Sequence, residues 1–231
     1  MNSLMLFFSL QAQAIPEATE QSTTTLWYII ASGGPIGVII VGIQVLLSFL
    51  AMYIFIERYL TIKKAGKVDP AFYANIKTAV ATGNIEGAKT LCQANDSPTS
   101  RMIYKGLMRI GKPLRDIETS IENVGNLELF QLEKNLSTIA SVSGVSPMLG
   151  FLGTVTGMII AFYKMATQAN VTPDVLAGGI YQALITTAFG LVVGIFALMG
   201  YNYLVAQVDK VVFIMEQASV EFMDLLQEPS K

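Results

Sequence analysis

The residues best placed to do chemistry interrupt an apolar stretch, "GGIYQALITTAFGLVVGI" (178–195), where Gln182 and the adjacent Thr186 and Thr187 break a run otherwise fit for lipid. A second stretch, "SPMLGFLGTVTGMIIAF" (146–162), contributes Thr154. A threonine in a membrane helix can satisfy its hydroxyl on a carbonyl of its own turn. A primary amide in hydrocarbon needs a partner or water. Together Thr154, Gln182, Thr186 and Thr187 would form a polar, uncharged wall suited to a hydrated path. Residues 135–163 and 175–208 hold no Asp, Glu, Lys or Arg, whereas proton relays in membranes need an ionisable group. The chain can therefore offer a passage, and a carboxylate that carries a proton must come from another protein.

Other chemistry has few residues to work with. The chain has no His, which removes the commonest general base and metal ligand. Its single Cys92 can form no internal disulfide and has no His to activate it. There is no glycine-rich phosphate loop. No enzymatic reaction, cofactor or metal is assigned, and a net charge of -2 provides no basic surface for nucleic acid.

The elements that must position these residues follow from charge segregation. Only 14% of the chain is charged and 52% is hydrophobic, against roughly 25% charged in a soluble domain. Residues 21–56, 135–163 and 175–208 are free of charge, and each exceeds the ~20 residues that cross a bilayer as a helix. The expected fold is an all-α integral membrane protein with three transmembrane helices, at 35–56, 136–163 and 176–204, and long cytoplasmic helical extensions. Twelve of the fifteen Lys and Arg lie between Arg58 and Lys134, so the positive-inside rule places residues 57–135 in the cytoplasm as a helical domain. Residues 1–34 and the loop 164–175 are then extracytoplasmic, and 205–231 return to the cytoplasm as a C-terminal helix. Residues 1–14 read either as a signal peptide ending at Ala12-Gln13-Ala14 or as a short amphipathic helix on the outer membrane face.

Within 57–135 the first helix should stop near Gly66. Three short helices should follow, "VDPAFYANIKTAVATG", "NIEGAKTLCQAND" and "SPTSRMIYKGLMRIG", with Asp69, Asn84 and Ser97 as caps and Gly83 and Gly111 as stops. From Pro113 no strong breaker precedes Leu136, so one helix is expected to run from cytoplasm into membrane. The third span should continue as a stalk with Val205, Val208, Val212, Met215, Ser219 and Phe222 on one face.

On the second span Ser146, Gly150, Gly153 or Thr154, Gly157 and Ala161 share a stripe; on the third, Gly179, Ala183, Thr187, Gly190, Gly194 and Ala197 do so. Helices in lipid associate by close packing, which small residues allow. Pro147, Gly150, Gly153, Gly157, Gly190 and Gly194 are therefore assigned to helix packing. The two stripes could simply close one hairpin, but they offer more surface than a hairpin needs, which favours a homo-oligomer.

These two segments, extended to "LAGGIYQALITTAFGLVVGIFALMGYN", and the "ERYL" after the first span resemble the ExbB/TolQ/MotA group of proton-channel subunits, ExbB most closely. The resemblance implies a pentameric ring in the bacterial inner membrane. It would enclose the membrane helices of a dimeric, single-span ExbD-like partner whose Asp carries the proton, and would drive a TonB-like protein that powers outer-membrane transport. It also implies that Thr154 and Thr187 line the pore. Gln182 departs from the pattern, since ExbB-type chains often have Glu there, and an amide cannot change its charge near neutral pH. A TolQ-like role in envelope integrity is the nearest alternative. A passive membrane scaffold is another, from a different functional class.

Overall fold

The computed structural model describes residues 34–67, 70–167 and 173–227. Residues 1–14, the Asp69 cap and residues 168–172 of the 164–175 loop lie outside these ranges. Among the described residues seven helices follow one another: α1 (Gly34–Ala65), α2 (Pro70–Ala81), α3 (Ile85–Ala94), α4 (Pro98–Leu107), α5 (Leu114–Glu133), α6 (Leu136–Thr167) and α7 (Pro173–Gln227). No strand occurs among the described residues. Among the described residues three helical stretches are long and apolar enough to cross a membrane, and they include α1, α6 and α7. The chain divides into two compact units, one comprising residues up to Ile43 with Leu149–Phe189, the other Gln44–Met148 and the residues from Gly190 onward.

In the second unit the short helices form as their caps dictate. The Asn84 side chain accepts from the Gly87 N–H at the start of α3. Ser97 and Ser100 exchange side-chain and backbone hydrogen bonds in a capping box at the start of α4, satisfying donors that a helix start leaves open. Gly83, two residues past α2, and Gly111, four residues past α4, have positive φ, 70° and 96°, where a Cβ would be strained. Helices α2 to α5 pack on one another in chain order. Their core is apolar, with Ile103, Leu107 and Ile121 fully buried, each such side chain contributing about 1.5–3 kcal/mol. The buried seam of α7 is Leu204, Val208, Val211, Met215, Ala218 and Phe222. It is rotated slightly from the expected face, so that Val205, Val212 and Ser219 flank it half-buried.

Cys92 lies buried on α3, and burial pushes its thiol up to about 12. Since only the thiolate reacts, iodoacetamide at pH 8 should label the native chain roughly a thousandfold more slowly than an ordinary thiol. Labelling in detergent, compared with labelling in denaturant, measures this directly. Equal rates would mean that the α3 core is open.

One expectation fails. The helix anticipated from Pro113 into the membrane is broken at Lys134–Asn135. Lys134 has φ -51° and ψ 133°, and Asn135 has φ 63°. Asparagine is among the few non-glycine residues that enter the left-handed region readily, so the chain breaks without glycine or proline.

Candidate functional site

In the first unit α6 and α7 form a hairpin whose small-residue stripes face each other. A Cβ added at Gly150 would lie 2.9 Å from the Thr187 Cα, one at Gly157 would lie 3.0 Å from the Ala183 Cβ, and one at Gly179 would lie 2.8 Å from the Ala161 Cβ. A Cβ at Gly153 would overlap Thr186 Oγ1. The stripes are thus used on one another, and the surplus surface that favoured a homo-oligomer is not there. Any assembly must use other faces. Those faces are available, since only 22–33% of each most apolar window is buried within the chain. Phe151, Ile159, Tyr163, Tyr181 and Leu184 of this unit point outward, a pattern suited to lipid or neighbouring subunits.

The four polar residues sit within this packing in different ways. Thr187 Oγ1 donates across the hairpin to the Gly150 carbonyl at 2.8 Å. Thr186, 1% exposed, donates to the Ala183 carbonyl of its own helix at 2.7 Å. Thr154 does the same with Phe151 at 2.7 Å and remains only half-buried. Gln182 is 4% exposed and lies against α1, where a Cβ at Gly37 would overlap its amide nitrogen. Gly37 therefore makes room for a primary amide inside an apolar helix packing. The structure brings Thr187 and Gly150 together, seats Thr186 against Gly153, and turns Gln182 toward the first helix. All four side chains stay uncharged, so the arrangement can offer hydroxyl and amide dipoles to water or an ion but holds no titrating group.

In the second unit Pro147 and Gly194 interlock. A Cβ on Gly194 would come within 2.6 Å of the Pro147 ring and 3.0 Å of the Ser143 carbonyl, the carbonyl that loses its helical donor because proline has no N–H. Gly190 is buried nearby in sequence. One polar residue was missed by the sequence reading: Gln44, 0% exposed, whose Nε2 donates to the Ser146 carbonyl at 3.4 Å. Its signal was there, a lone amide within "IGVIIVGIQVLLSFLAMYIFI", and the cost of burying an amide applies to it as much as to Gln182.

In the second unit six charged side chains, Arg58, Lys64, Asp96, Arg101, Glu128 and Lys134, line a groove of about 640 Å³. Arg101 grips buried Glu128 through Nε and Nη2 at 2.6 and 2.7 Å. Its Nη1 also reaches Asp96 at 2.6 Å. A hydrogen bond and the charge of Lys64, with Arg101 behind them, hold the Asp96 carboxyl below its usual range.

Comparison with known proteins assigns this arrangement to a family. Residues 94–217 match the model of the MotA/TolQ/ExbB proton channel family, a range that includes Thr154, Gln182 and Thr187. The chain is 30% identical over 172 residues to the biopolymer transport protein ExbB homolog of Methanothermobacter thermautotrophicus, covering 72% of this chain and 61% of that protein. It is 38% identical over 99 residues to the Tol-Pal system protein TolQ of Haemophilus influenzae, covering 43% of this chain and 42% of TolQ. It is 23% identical over 187 residues to the biopolymer transport protein ExbB of Neisseria meningitidis serogroup A, covering 75% and 84%. The match thus spans less than two thirds of the first two relatives. The family model nonetheless takes in more than half of this chain, including the paired stretches of α6 and α7, and the chain belongs to the MotA/TolQ/ExbB proton channel family.

Proposed function

We propose that the chain is the channel-forming subunit of an inner-membrane motor, working as a homo-oligomeric ring around a single-span, ExbD-like partner that carries a membrane Asp, and energising a TonB-like protein. One observation carries the reading: a membrane helix pair of a proton-channel family in which every polar side chain is a hydroxyl or an amide. Proton movement needs an ionisable group in the membrane, and this chain leaves that part to a partner. In this reading Thr154 and Thr187, the half-buried pair, line the path, while buried Gln182 and Thr186 hold its wall. In this reading the N-terminus lies outside and the basic bundle inside, an orientation supported by the placement of Lys and Arg. One charge crossing 100 mV supplies about 2.3 kcal/mol, so several protons could drive a stroke.

The test is proton flux into liposomes containing this chain, with and without the acidic single-span protein, under an imposed potential. Flux that requires the partner supports the reading. An intact complex that passes no protons defeats it and leaves the scaffold.

A TolQ-like role is the second reading, favoured by the 38% identity to the Tol-Pal system protein TolQ of Haemophilus influenzae. Deleting the chain separates the two. Loss of TonB-dependent uptake supports the first reading, and detergent sensitivity with intact uptake supports the second.

A further inference from the structure

The break between α5 and α6 leaves a specific hydrogen-bonding problem. In an unbroken helix the Gln131 carbonyl would accept from the Asn135 N–H, four residues on. With ψ 133° at Lys134 and φ 63° at Asn135, that N–H is turned off the helix axis and the bond cannot form. Arg58 of α1 fills the place: its Nη1 donates to the Gln131 carbonyl at 3.1 Å. Its Nη2 meets Glu57 at 2.6 Å, with the Arg58 side chain only 7% exposed.

A guanidinium is expensive to bury unless its position is specified by partners, and here it also sits at the negative end of the α5 dipole. The break is fastened on both sides by apolar residues, since Leu132, Leu136 and Ile139 are all buried. Two requirements therefore meet at one place: Asn135 permits the turn, and Arg58 supplies the donor that the turn removes.

We infer that Arg58 is a positioning residue that holds a built-in joint between the charged-bundle helix α5 and the apolar helix α6, and that conduction by the channel requires this joint. The second half rests on the channel reading above; the first does not. A simple Arg58–Glu57 ion pair would explain the contacts equally well only if the Gln131 carbonyl were incidental, and the two accounts predict different mutant patterns.

The experiment uses the full chain with its acidic partner in nanodiscs, reading amide hydrogen exchange over residues 131–138, and in liposomes, reading proton flux. Arg58→Leu should raise exchange in that window at least tenfold, whereas Glu57→Gln, which removes only the ion pair, should change it less than twofold. Asn135→Gly, which keeps the left-handed turn, should resemble the wild type. Asn135→Ala favours a continuous helix, restoring the donor to Gln131, so R58L/N135A should return to near wild-type exchange while losing at least tenfold in flux.

Additive effects of Arg58→Leu and Asn135→Ala on exchange, or equal effects of Arg58→Leu and Glu57→Gln, would overturn the cap. A protected double variant that conducts like the wild type would overturn the need for a joint. If the wild-type complex conducts nothing, the channel reading fails and the requirement for conduction fails with it, while the exchange data still decide the cap.

Discussion

Gly150→Val should unfold the hairpin at a temperature about 6–12 °C below the wild type, the equivalent of roughly 3 kcal/mol for a chain of this size. The reason is geometric. A Cβ at residue 150 would already be 2.9 Å from the Thr187 Cα and 3.1 Å from the Thr186 carbonyl, and both obstacles are backbone, which cannot rotate away. Valine adds two methyl groups beyond that point. Separating the helices would also stretch the bond from Thr187 to the Gly150 carbonyl, and in lipid no hydrophobic drive compensates for lost close contact. Gly144→Val is the matched control, because nothing lies within 4 Å of its Cβ, and its effect should stay within about 0.5 kcal/mol. Heat unfolding of both variants in one detergent decides the matter. Equal midpoints would mean that the α6–α7 contact does not stabilise the chain.

Thr187→Val should lower partner-dependent proton flux at least tenfold while shifting the unfolding midpoint by only about 1–4 °C. Valine matches threonine in shape, so the packing survives and the loss is one interhelical hydrogen bond, worth about 0.6–1 kcal/mol in a membrane. A flux loss of tenfold corresponds to about 1.4 kcal/mol on the barrier, so it reports on the hydroxyl and not on the fold. Thr187→Ser, which restores an O–H, should recover most of the flux. Unchanged flux in Thr187→Val would remove Thr187 from the path and leave it as a structural bond to Gly150. A stability loss as large as that of Gly150→Val would assign the residue to packing instead.

Much of this architecture was legible in the sequence because its signals are local. The Asn84 and Ser97 caps and the positive-φ glycines at 83 and 111 each need only their own turn to be recognised. Small-residue stripes were legible too, but a stripe specifies only that something packs closely there. That Gly150 meets Thr187 and Gly179 meets Ala161 is a long-range pairing that residue types do not encode, so the surplus inferred from two stripes vanished once they proved to face each other. The break at Lys134–Asn135 escaped for a different reason. Its cause is one backbone angle at a residue that helices also tolerate, with its compensating donor 73 positions away in sequence. Gln44 went unnoticed because it stands alone, whereas Gln182 has the neighbouring Thr186 and Thr187 to mark it.

The unbroken course of α7 over 55 residues constrains how such a chain can change length. Each inserted residue turns everything beyond it by 100° and advances it 1.5 Å. A single insertion between Val208 and Met215 would thus set the Leu204–Val208 face and the Met215–Phe222 face of the buried seam out of phase. Both faces survive only if length changes there come in steps near seven residues, which return the helix almost to phase.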